Sequence, residues 1–155
     1  SAFYAHFVDK EACFLAAFQA AHEHLVQVVR VSRTPGASWD TLLAESTRAY
    51  LDFQRNHPKL AHTLLVEIHS AGPAARELRS QSLQRFADLQ SRLYALRQEQ
   101  DAEAGDLPPQ VFRGMVAAID EMVSRYLSEN RVKDIMELEP AVMLMLKAVY
   151  GGNTA

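Results

Sequence analysis

Apolar residues return every three or four positions along nearly the whole chain, and the prolines fall between these periodic stretches rather than inside them. The spacing is that of amphipathic helices, and Pro is tolerated in a first helical turn but breaks a helix interior. The first stretch starts at Asp9 and carries Phe14, Ala17, Phe18, Ala21, Leu25 and Val28 as far as about Ser32. Asp9 is its expected N-cap, with Val8 and Cys13 placed as a hydrophobic staple across it. Thr34-Pro35-Gly36 stops that helix, and Ser38 caps a second one striped by Trp39, Leu42, Leu43, Ser46, Tyr50 and Phe53. Pro58 opens a short third helix with Leu60, Ala61, Leu64, Leu65 and Ile68, ended by Ala71-Gly72-Pro73 with Gly72 as a left-handed cap. A long fourth helix bears Leu78, Ser82, Phe86, Leu89, Leu93 and Leu96 and fades into the polar stretch 98–106. Pro108-Pro109 opens the fifth, residues 130–138 connect, and Pro140 starts a sixth that Gly151-Gly152 ends.

The expected fold class is therefore all-α with about six helices, and composition agrees. Twelve of the 16 basic residues are Arg, and Ala, Leu, Gln and Glu are abundant, which are all good helix formers. A length of 155 residues supports one domain with a real core. A formal net charge of -3 gives no global attraction for nucleic acid, so any DNA contact has to be local. The single cysteine, Cys13, forms no intrachain disulfide and fits a reducing compartment, and its place on the helix predicts a packing role. No targeting segment and no bilayer-length apolar run are present, so a cytoplasmic location and no membrane partner are expected.

The fifth and sixth helices are apolar over more than one face, which predicts burial against a second copy of the chain through Val116, Val123, Met143, Leu146 and Tyr150. Elsewhere, polar and aromatic residues interrupt the inward stripes. Phe18, His22, Tyr50, His62, Glu67 and Phe86, faced by the flexible Met115 and Met122, make a candidate ligand pocket, with Ser46 and Ser82 among the interruptions. An apolar cavity with a few placed polar groups suits a small hydrophobic or aromatic effector. His22 and His24 are spaced two apart and diverge around a helix, so they form no metal pair, and no cofactor is implied. Catalysis is not expected: Ser46 and Ser82 lack a nucleophile elbow or oxyanion hole, and the adjacent Asp120 and Glu121 diverge toward a solvated face.

At the amino terminus, Phe3 and Phe7 lie four apart and anchor one face, leaving Tyr4, His6 and Lys10 pointing elsewhere. Phenol, imidazole and ammonium groups all donate to phosphate oxygens, and the free N–H groups at the start of the Asp9 helix add an anion site. This run, Phe-Tyr-x-His-Phe-x-x-Lys-Glu followed by small and aromatic residues on a long helix, resembles the end of the helix-turn-helix in TetR-family bacterial transcription regulators. Phe53-Gln54-Arg55-Asn56-His57-Pro58-Lys59-Leu60-Ala61, Ala71-Gly72-Pro73, 114–123 and Leu138-Glu139-Pro140 are also similar to one subgroup of that family.

The resemblance implies that 1–10 is the remnant of a DNA-binding domain, with Ser1 and Ala2 ending the recognition helix, and that 11–155 is the ligand-binding and dimerisation domain. It implies DNA-backbone contacts by Tyr4, His6 and Lys10, while base reading belongs to residues ahead of Ser1, so this stretch alone is not expected to select an operator. The implied activity is transcriptional repression or activation relieved by a small, largely apolar effector: recognition elements about 34 to 36 Å apart in a homodimer change their operator fit when the Asp9 helix tilts. The alternative with the same fold is a helical interaction or dimerisation module that senses no ligand.

Overall fold

The computed structural model describes the backbone of residues 2–151 and the side chains of residues 9–151. Among the described residues the secondary structure is entirely helical: α1 (Ala2–Val31), α2 (Trp39–Asn56), α3 (Pro58–Leu65), α4 (Pro73–Gln100), α5 (Pro109–Ser128) and α6 (Glu139–Tyr150), with 3₁₀ segments at Glu67–Ser70 and Val132–Leu138. None of these helices is long and apolar enough to cross a membrane.

Local chemistry sets most boundaries where the punctuation predicts them. Ser38 accepts from the Thr41 amide and caps α2, and Pro stands in the first turn of α3, α4, α5 and α6. Gly151 takes the left-handed conformation that closes α6, and the Arg97 guanidinium donates to the Tyr150 carbonyl there. The expected third helix is split. The Ser124 hydroxyl donates to the Leu65 carbonyl at 2.8 Å, α3 ends there, and the chain continues as a 3₁₀ turn through Ile68.

The start of the chain departs from the expectation at Asp9. α1 is already helical from Ala2, so the amides after Asp9 are supplied by preceding carbonyls; Asp9 is an interior residue, not a cap, and the amides that follow it are not free for an anion. Cys13 is exposed, which removes both the staple and the expected packing role. The helix also passes without a break through the expected domain boundary at residues 10 and 11.

α2 is the central element, packed against α1, α3, α4, α6 and the second 3₁₀ segment, while α5 lies along α4. Its Leu51 is fully buried, as are Ile68, Val123, Ile135 and Val142 around it. Gly72 joins the first 3₁₀ segment to α4 at φ 92° and ψ -174°, a region open essentially to Gly alone, and acts as the N-cap of α4 rather than as the left-handed end of α3. Gly72→Ala is expected to cost about 1–3 kcal/mol in urea denaturation; an unchanged midpoint would contradict this conformation.

Candidate functional site

An apolar cavity of about 60 Å³ lies where α1, α2, α4, α5 and α6 meet. Val29 closes the α1 end, Leu43 and Thr47 come from α2, Leu89 and Leu93 from α4, Val116 and Ile119 from α5, and Val142 and Leu146 from α6. The polar groups in its wall are Arg33, Ser46, Thr47, Tyr50, Gln90 and Asp120.

Asp120 is the least expected of these. It continues the stripe Val116, Val123, Leu127 at spacings of four, three and four, so α5 carries a carboxylate into its buried face; only 8% of the residue is exposed. Burial raises its pKa, opposed by its contacts with Tyr50 and Arg79. The Tyr50 hydroxyl donates to Asp120 Oδ1 at 2.5 Å, and Arg79 Nη1 stands 3.6 Å from Oδ2. Tyr50, in turn, is pushed well above the usual phenol pKa by burial and then by the Asp120 charge, which makes it a firm donor at neutral pH. Gln54, one turn further along α2, is fully buried near this phenol, yet neither of its amide atoms reaches hydrogen-bond geometry with a partner among the described residues.

The expected pocket residues divide into three groups. Tyr50 and Phe86 line the cavity, with Ser46. Phe18 and His22 line instead a groove between α1 and α4 that also takes in Ser82 and Arg85, but they join the cavity through stacked rings. Phe18 lies parallel to His22 at 6.2 Å, His22 meets Phe86 edge-on at 5.3 Å, and Phe86 meets Tyr50 at 5.9 Å. An aromatic chain therefore links α1 to the cavity wall.

His62, Glu67, Met115 and Met122 do not line this cavity. His62 Nδ1 lies 3.2 Å from Glu67 Oε1 on the exposed side of the turn after α3, because the helix ends between them and swings the pair outward. Among the described residues no third His, Cys, Asp or Glu completes a metal cluster. Met115 is buried and Met122 half-buried, and both pack in the core; adjacent helical positions point about 100° apart, and it is Val116 and Ile119 that face the cavity.

The residues expected to meet a second copy are also relocated. Val116 and Leu146 line the cavity, and Val123 and Tyr150 are buried in the same core, so four of the five are covered by the chain's own helices; Met143 is half-buried. What α6 leaves outside is Leu144, 65% exposed, and Val149, 39% exposed, with Ala141 and Ala148. Lys10 is exposed on α1, and the side chains of Tyr4 and His6 lie outside the described residues.

Arg33 and Gln90 are cavity residues that periodicity does not point to, Arg33 because it sits in the turn after α1. Asp120 did carry a signal, an acid on an otherwise apolar stripe. Removing its donor by Tyr50→Phe is expected to cost about 1–3 kcal/mol, read by chemical denaturation at pH 7; no loss would show that the bond does not support the fold.

His22 generates a pH effect. Burial, and then Arg85, lower its pKa from 6.5 to about 4. The unfolded chain takes up this proton near 6.5 whereas the folded chain resists until about 4, so stability falls as pH drops through that window, by on the order of 2 kcal/mol. His22→Phe should flatten the curve between pH 6.5 and 4; an unchanged slope would contradict the buried neutral imidazole. Compared with known proteins, the chain matches no family model, no curated protein and no solved structure, and a functional reading rests on its own residues.

Proposed function

We propose that this chain is the ligand-sensing and dimerising body of a TetR-type transcription regulator, its DNA affinity set by a small, largely apolar effector. The observation that carries the reading is the unbroken α1: the motif that resembles the family's DNA-backbone corner, with Tyr4, His6 and Lys10, shares one rigid helix with Val29 in the cavity wall. At 30 residues, α1 is about 45 Å long, and a tilt of about 5° at the cavity end moves the far end by about 4 Å.

The cavity supplies a reason for such a tilt. Ligand pockets usually enclose about 300–1,000 Å³, far more than the volume enclosed here, so an effector enters by displacing the helices around it. The Phe18–His22–Phe86–Tyr50 ring chain carries that displacement onto α1. Effector and DNA then oppose one another with a coupling of about 1–3 kcal/mol.

Dimerisation in this reading uses the outward faces of α5 and α6. Leu144 and Val149 are exposed apolar residues on α6, and Gly114, open to solvent, lies on α5 with the small Ala117 and Ala118, which allow close approach. The exposed α6 face equally serves the second reading, a helical interaction module without a ligand.

Ligand binding separates the two readings. A panel of small hydrophobic compounds should contain ligands that, at about one hundred times Kd, raise Tm by about 5–10 °C. Val116→Phe, which fills the cavity, should abolish the shift. No shift with any compound would favour the interaction module. Sedimentation of the purified chain should give a dimer that Leu144→Glu converts to monomer; a profile indifferent to this change would contradict the proposed interface.

A further inference from the structure

The polar groups of the cavity are not equivalent, and the difference defines what the cavity accepts. The charge of Asp120 is already met by Tyr50 and Arg79. Gln90 accepts from the Tyr150 hydroxyl. Arg33 is different. Its Nε donates to Ser46 Oγ at 2.8 Å, which fixes the guanidinium in the cavity wall, and neither Nη group has a hydrogen-bond or ion-pair partner among the described residues. Burial and then the nearby Arg30 both work against its charge. A half-buried guanidinium held by one edge, with its two outer nitrogens free, is arranged to take a planar anion in bidentate fashion.

We infer that the cavity binds a small organic acid, its carboxylate on the Nη atoms of Arg33 and its apolar body among Leu43, Leu89, Leu93, Val116 and Ile119. The inference rests on the ligand-pocket reading above and adds the chemical class. Charge selects an acid over an amine, because the only carboxylate in the wall is already compensated. Size selects a short chain or a single ring: engineered apolar cavities of about 150 Å³ admit benzene, and a modest outward movement of the helices brings this one to that scale.

Calorimetric titration of the full chain with benzoate and with its neutral isostere benzamide tests this. Benzoate is expected to bind about ten times more tightly than benzamide, since hydrogen bonds to a charged partner are roughly twice as strong as neutral ones. Arg33→Gln should remove most of that preference by weakening benzoate about tenfold while leaving benzamide within about twofold, and Arg33→Lys should fall between. Val116→Phe should block both compounds. Equal binding of the two compounds that Val116→Phe still blocks would overturn the acid preference and leave the ligand pocket standing. An Arg33→Gln change that weakens both alike, or benzoate binding indifferent to Val116→Phe, would likewise overturn the inference. Failure of both compounds to bind at millimolar concentration would overturn the inference and count against the pocket itself.

Discussion

The hydrogen bond from Tyr50 to Asp120 is the constraint around which the helices are arranged. A carboxylate removed from water is costly unless it is bonded and compensated, and Asp120 achieves both only because α2 brings Tyr50 and α4 brings Arg79 to the same point on α5. Three helices are thereby fixed in register beside a space that their apolar side chains do not fill. The same phenol also touches Phe86, so the bond that locates the helices belongs to the wall of the cavity. A group entering that cavity would meet the contacts that hold α2, α4 and α5 together, and the proposed effector acts on the bundle at that point.

The cavity wall is joined to α1 through packed aromatic rings rather than through charge. His22 is buried and its Nε2 has no partner among the described residues, so it behaves as an aromatic spacer between Phe18 and Phe86. The interior is close-packed, and such contacts shift between discrete arrangements rather than deforming freely. α1 carries no internal Pro or Gly to absorb a displacement, so the proposed regulation would carry movement at Val29 toward the amino-terminal motif.

Helix number and punctuation were legible in the sequence because Pro and Gly act locally: Pro58, Pro73, Pro109 and Pro140 each begin a helix through their own backbone restriction. Asp9 misled because a capping residue type reports a helix start only when no helix precedes it, and α1 precedes it by seven residues. Tyr50 and Phe86 were legible in the cavity as interruptions of apolar stripes. Met115 lies one position from Val116, which lines the cavity, a distinction that periodicity over several turns does not make. Val116, Val123, Leu146 and Tyr150 lie on helices that are apolar over more than one face, which points to a second copy, but α3 and α4 pack on α5, and α2 with the second 3₁₀ segment packs on α6, within one chain. Arg33 and the Tyr50–Asp120 pair, 70 residues apart, depend on tertiary contacts that neighbouring residues do not encode.

The proposed regulation requires coupling between the cavity and α1 across a dimer, and the exposed Cys13 gives direct access to it. Nitroxides on Cys13 of the two protomers, measured by double electron–electron resonance with and without a saturating cavity ligand, report the separation of the two α1 helices. The expected result is a defined distance in the free dimer that changes by about 2–4 Å, the scale of a tilt of about 5° in a helix of this length, and that stays fixed in Val116→Phe. A dimer that binds the ligand in its cavity while the distance between the two labels stays the same would contradict it.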